Sequence, residues 1–217
     1  MKDALVIFQC CKKKANIELY PDEDFDLTAR VPRTKEVLVS SVKKFSRDGI
    51  IDTLSRPITA LSRYDGHFYS VPGLRSNVAK EIRHGHCEFL IMSAGYGFVH
   101  PFQRIHNYEQ RMTGKTTRYW LDVELPRVLE EFLEKGRHRR AYGFFSKSAD
   151  YGKIFAEVDW YRFKELGEAG YFYLDGLRGA SKILKLSALL MLRLLDGNFK
   201  EKPQSFGGAE VVFVKMV

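Results

Sequence analysis

The residues best suited to chemistry lie between Glu88 and Met112, in EFLIMSAGYGFVHPFQRIHNYEQRM. The apolar run Phe89-Leu90-Ile91-Met92 reads as a buried strand, too short for a helix. Ser93, Gly95, Gly97 and Pro101 then break the pattern, since glycine supplies positive φ and proline fixes its own φ while removing a donor. The turning segment carries Ser93, Tyr96, His100, Arg104, His106 and Tyr108 out of the strand's carboxyl end. In an open α/β sheet that is where ligands bind. A strand followed by a turn is also the most ordinary feature of such a protein, so the loop is a candidate surface and nothing more specific.

Three further strand exits carry polar groups. Ala4 to Phe8 ends in Gln9-Cys10-Cys11 and the run Lys12-Lys13-Lys14, which suits phosphate as well as solvent. Ala141 to Phe145 is followed by Ser146, Ser148, Asp150 and Tyr151, where either serine can cap the next helix. Tyr171 to Leu174 leads into Asp175-Gly176-Leu177-Arg178-Gly179, and a periodic helix then runs from about Ala180 through Lys182 to Leu195. Backbone N–H groups at such exits, with Lys12, Lys13, Arg104 and Arg178 near them, can hold phosphates, and Tyr96 and Tyr108 can stack on unpaired bases.

The usual enzyme signatures are absent. Thr113-Gly114-Lys115-Thr116 lacks the first glycine of a nucleotide-binding loop, and there is neither a GxSxG elbow nor an HExxH pair. His84, His86, His100 and His106 are spread over different elements, so no metal site is expected, and no cofactor. Cys10, Cys11 and Cys87 cannot form a disulfide framework; they read as reduced thiols, with Lys12 to Lys14 placed to lower a neighbouring thiol's pKa.

The elements that must position these groups alternate. Helical spacing follows Thr34 as N-cap, a second helical piece spans Gly49 to Leu61 with an interruption at Pro57, and Ser76 to His84 leads into the central strand. Tyr119 to Lys135 has an apolar face of Trp120, Val123, Leu125, Val128, Leu129 and Phe132, with Pro126 implying a kink or a break and Gly136 the stop. A helix then reaches about Leu166, and Ala209 to Met216 reads as an edge strand. Strands alternating with helices and no internal linker predict one α/β domain over residues 1–217, a mixed β-sheet flanked by helices. No run approaches the ~18 apolar residues of a membrane span, and the N-terminus lacks a secretory pattern, so a cytoplasmic protein without membrane partners is expected. With 35 basic against 27 acidic residues the net charge is +8, which favours polyanionic partners.

The ordered motifs resemble the YaaA (DUF328) family of bacterial peroxide-stress proteins. The family's serine, Tyr-Gly, proline, tyrosine and methionine correspond to Ser93, Tyr96-Gly97, Pro101, Tyr108 and Met112, with Ile105 in register. Tyr64 to Tyr69 with Leu74, Tyr119-Trp120, Ser148-Ala149-Asp150-Tyr151 and Arg178-Gly179 match its other motifs in order. The first-strand exit departs from it: the family has Ser-Pro-Ala-Lys where this chain has Cys10-Cys11-Lys12-Lys13. Val99-His100-Pro101 and Asn107-Tyr108-Glu109 also differ from the family's Leu-Arg-Pro and Pro-Tyr-Arg. The resemblance implies an α/β protein with a positively charged cleft at the strand carboxyl ends. That cleft would bind duplex or branched DNA and limit iron-linked oxidative damage. The residues expected to line it are Lys12, Lys13, Ser93, Tyr96, Gly97, Arg104, Tyr108, Ser148, Tyr151, Arg178 and Lys182. The alternative is an enzyme acting on a nucleobase or nucleoside, glycosidase-like or base-modifying, through the Ser93–Tyr108 loop.

Overall fold

The computed structural model describes residues 4–147, 150–197 and 199–217. Its strands run in chain order as β1 (Ala4–Gln9), β2 (Ile51–Asp52), β3 (Ile58–Thr59), β4 (Cys87–Ser93), β5 (Gly97–Val99), β6 (Arg104–Ile105), β7 (Asn107–Tyr108), β8 (Arg140–Phe144), β9 (Glu168–Asp175), β10 (Ser205–Phe206) and β11 (Ala209–Lys215). Seven of them form one sheet in the order β10-β11-β9-β8-β1-β4-β5. The central four, β9, β8, β1 and β4, are parallel, and the outer strands on both sides pair antiparallel. The mixed sheet expected from the alternation is therefore present.

β1 sits at the centre, and every one of its residues is buried. A strand hydrogen-bonded on both sides and covered on both faces has no face left for solvent, which is why it reads as a continuous apolar run instead of an alternating one. From β1 the chain crosses to β4 on one side, then returns past β1 to β8 on the other. Right-handed crossovers in opposite directions put their helices on opposite faces. Helix Leu74–His84 packs on β4 and on the last helix, Ala180–Asp196, which also meets β8 and β9; helix Leu125–Gly136 packs on β5 and on helix Tyr151–Ala156. The point where the connections diverge is a topological switch, and it lies at the carboxyl end of β1.

Several local expectations change. The apolar stretch from Tyr119 to Lys135 forms two helices, Gly114–Asp122 and Leu125–Gly136. They are divided at Glu124, whose φ is +60°, and Pro126 lies in the first turn, where its missing N–H costs nothing. Gly49 to Leu61 is not a helical piece: it holds β2, β3 and only the start of the short helix Ala60–Arg63. β2 and β3 pair with β7 and β6, so the strand-exit loop is clamped by partners that local propensity does not reveal. The helix before Leu166 is short, Tyr151–Ala156, and a 3-10 turn follows at Trp160–Phe163. Thr34 occupies the N-cap position of helix Lys35–Arg47, but its hydroxyl donates to Glu131 Oε2 (2.9 Å) instead of capping. The last strand, Ala209–Lys215, is flanked by the two-residue β10 and is not itself the edge. Among the described residues no helix is long and apolar enough to cross a membrane.

Candidate functional site

A cleft of about 910 Å³ opens at the switch point. Its wall begins where β1 ends, with Gln9, Cys10, Cys11, Lys12, Lys13 and Lys14. The β1 ladder continues one step beyond the strand, because Cys10 N–H donates to Met92 O (3.0 Å). That bond holds the exit of β1 against the exit of β4. The opposing residues come from the Asp65–Ser70 turn, the Asn107–Met112 stretch, Tyr151 and Leu184. Four cationic side chains, Lys12, Lys13, Lys14 and Arg111, share the cleft with the carboxylates Asp65 and Glu109. Lys13 is largely exposed and lies 2.6 Å from Asp65, which also meets Arg75. The hydrogen bond from Lys13 is the chief reason the Asp65 pKa is held below the ordinary carboxylate range.

Beneath the cleft is a buried polar knot. Tyr64 OH donates to Ser93 Oγ (3.0 Å), Ser93 Oγ donates to Tyr108 OH (3.1 Å), and the two phenols are 3.0 Å apart. Tyr96 N–H also donates to Ser93 Oγ (3.1 Å), so one serine closes the turn after β4 and anchors both phenols. Tyr151 OH and Cys10 Sγ are 3.2 Å apart and connect this layer to the cleft wall. Tyr64, Tyr108 and Tyr151 all have pKa values raised well above that of a free phenol, first because burial penalises the phenolate. These groups are therefore neutral hydrogen-bond donors near pH 7. Gly95 permits the packing, because a Cβ there would come within 2.6 Å of the Tyr108 ring.

Lys14 is drawn inward, unlike its two predecessors. Its Nζ donates to Cys11 O (2.6 Å) and Lys12 O (3.0 Å) and lies 4.1 Å from the centre of the Tyr108 ring. Burial lowers its pKa, with the Arg63 charge acting in the same direction. Cys11 does not acquire the low pKa that its lysine neighbours suggest. Burial pushes it up to about 12 and outweighs the lysine charge and the N–H groups that face its sulfur. The Cys11 thiol is thus protonated at neutral pH.

Of the residues expected to line a cleft, Lys12, Lys13 and Tyr151 do so. Ser93 and Tyr108 lie directly below, at 0% and 1% exposure, and Tyr96 is at 6%. Stacking of an incoming base on Tyr96 or Tyr108 is consequently not available. Their rings are packed against each other edge to face, and Tyr96 OH accepts from His106 N–H (3.0 Å). Gly97 also has a packing role: its φ is +72°, and a Cβ would come within 2.9 Å of Leu125 and Leu38.

Arg104 turns away from the cleft. Its guanidinium reaches Glu18 Oε2 (3.3 Å) and Pro21 O (2.6 Å). Arg178 and Lys182 are exposed around the start of the last helix, outside the cleft lining, although Leu184 of that helix lines it. Ser148 lies outside the described residues. Sequence reasoning did not name Cys10 or Arg111 for the cleft or Tyr64 for the layer beneath it, and it placed Lys14 in the lysine run suited to phosphate without naming it among the lining residues. The signal for Lys14 and Cys10 was the β1 exit itself; the Tyr64 signal was its place in an ordered motif; Arg111 had none. Among the described residues no group of His, Cys, Asp and Glu is arranged to hold a metal ion.

No protein-family model matches the chain, and no curated protein matches it significantly.

Proposed function

We propose that the chain is a DNA-binding protein of the YaaA type, holding phosphates of duplex or branched DNA at the cationic rim of the switch-point cleft and limiting iron-linked oxidative damage. The observation that carries the reading is the placement of Lys12 and Lys13 at the exit of β1, with Arg111 in the same cleft. Supporting it, Tyr64 of one motif of the resemblance meets Ser93 and Tyr108 of another in one hydrogen-bonded layer under that cleft, and Tyr151 of a third lines the cleft beside Cys10. Rim cations act by displacing counterions from the phosphates, which makes affinity fall with salt at about 0.9 log units per contact. The test is fluorescence anisotropy with a labelled duplex and a labelled four-way junction across a salt series. Replacing Lys12, Lys13 and Arg111 together by Gln is expected to make the log–log salt slope shallower by about 3. Absent binding at low salt, or a slope that the triple variant leaves unchanged, refutes the reading.

One observation favours the second reading, an enzyme acting on a nucleobase or nucleoside. The cleft volume falls within the roughly 300–1,000 Å³ of small-molecule sites, and Cys10, Tyr151 and Lys14 present a thiol, a phenol and an amine to it. Liberation of free base from damaged DNA, followed by chromatography at stoichiometric protein, tests this. No released base removes it.

A further inference from the structure

Lys14 is the one basic residue of the cleft whose ammonium is taken partly out of water. Its amine is held by two backbone carbonyls of its own loop, Cys11 O and Lys12 O, beside the faces of Tyr108 and Tyr64. The two carbonyls and the ring faces favour the ammonium with its three N–H donors, while burial favours the neutral amine, whose lone pair is the nucleophile. The titratable groups around it are Cys10, Cys11, Glu109, Arg63, Tyr64 and Tyr108. Cys11 and both phenols have raised pKa values, so they carry no negative charge near pH 7. Glu109 supplies the opposing negative charge, and Arg63 adds a positive one. The balance for Lys14 is a lowered pKa, caused first by burial. Desolvated lysines of this kind are the ones that form Schiff bases.

We infer that Lys14 is an imine-forming residue whose partner is a phosphate-bearing sugar aldehyde, in DNA the open-chain C1′ aldehyde of a base-free deoxyribose. The inference rests on the DNA-binding reading for the macromolecular context and adds a covalent step at the same cleft. Lys14 Nζ adds through its lone pair to the aldehyde carbon, forming a C–N bond and an alkoxide that takes up a proton. The carbinolamine then expels its oxygen as water, the nitrogen losing its hydrogens and the carbon–nitrogen double bond forming. Amine plus aldehyde thus give imine plus water, with no oxidant or reductant. Lys12, Lys13 and Arg111 are placed to hold the flanking phosphates. Tyr151 OH, on the cleft wall, is a neutral donor able to hydrogen-bond the leaving oxygen, which takes its proton from solvent.

The experiment is reductive trapping. The protein is incubated at pH 7 with a duplex carrying one base-free site and cyanoborohydride, which delivers hydride to an imine carbon and makes the link permanent. The product is resolved on a denaturing gel and mapped by peptide mass spectrometry. A covalent adduct at Lys14 is expected. Lys14→Gln and Lys14→Arg should each lower its yield at least tenfold, while Lys80→Gln, at an exposed lysine away from the cleft, leaves it unchanged. Circular dichroism of Lys14→Arg, whose guanidinium can still donate to both carbonyls, shows that the loss is not unfolding. Ribose 5-phosphate with the same reductant is run in parallel. Trapping of that sugar at Lys14 without any duplex binding upholds the amine and overturns the DNA reading. Duplex binding without a Lys14 adduct, or an adduct that persists in Lys14→Gln, overturns the inference and leaves DNA binding standing.

Discussion

Glu18 governs how the segment leaving the cleft is tied down, and its replacement by Gln should be costly. The side chain is only 5% exposed, and it accepts from Tyr20 N–H (2.9 Å), Thr59 N–H (2.9 Å), Thr59 Oγ1 (2.8 Å) and Ser62 Oγ (2.8 Å). Burial works against its charge, but those four donors outweigh it and bring the pKa from 4.5 down to about 2. That depression corresponds to about 3 kcal/mol of stability at neutral pH. Because the folded value lies below the unfolded one, the contribution is complete above about pH 5 and is lost as pH falls through 4.5 toward 2. About 2 kcal/mol of it has gone by pH 3. Glu18→Gln keeps the volume but presents an NH₂ to groups that are themselves donors, so most of the contribution is lost. For a chain of this length the variant should melt roughly 6–12 °C below the parent at pH 7. Urea unfolding of both proteins at pH 7 and pH 3 checks the sign: their difference should shrink from about 3 to about 1.5 kcal/mol. A difference below 1 kcal/mol at pH 7, or one that does not contract on acidification, would refute the account of the carboxylate as the anchor.

Ser93→Ala strands Tyr96 N–H and removes the link between two buried phenols, so a loss of about 1–3 kcal/mol is expected in chemical denaturation. A variant as stable as the parent would show that the hydroxyl layer is dispensable. Arg104→Ala should destabilise the fold while leaving the salt dependence of DNA binding untouched, since its guanidinium serves Glu18 and Pro21 and not the cleft; a shallower slope contradicts that placement. With its pKa near 12, Cys11 should react with iodoacetamide at pH 7.5 far more slowly than a free thiol of ordinary pKa. Quantitative labelling there within minutes would rule out the buried, protonated state.

The sequence by itself determined the fold class and marked the strand exit at which the cleft opens. β1 and β4 announce themselves as short apolar runs ended by polar residues, and a parallel strand buried on both faces can be written in no other way. The lysine run after β1 likewise marked a strand exit, and that exit became the cleft wall. Which side chains share the cleft was decided by tertiary structure alone. Tyr96 and Tyr108 look like exposed stacking platforms in a loop until β2 and β3 clamp that loop from positions about 50 residues away and turn both rings inward. Arg104 reads as a free cation until the Asn16–Pro21 connection brings Glu18 and the Pro21 carbonyl to it. Three adjacent lysines are equivalent in sequence, yet only Lys14 folds back onto its own loop carbonyls and the Tyr108 face. Local pattern records the period and the burial of an element. Desolvation, hydrogen-bond partners and the sharing of a cleft depend on contacts between residues distant in the chain, and those arise only when the crossovers on either side of β1 converge at its carboxyl end.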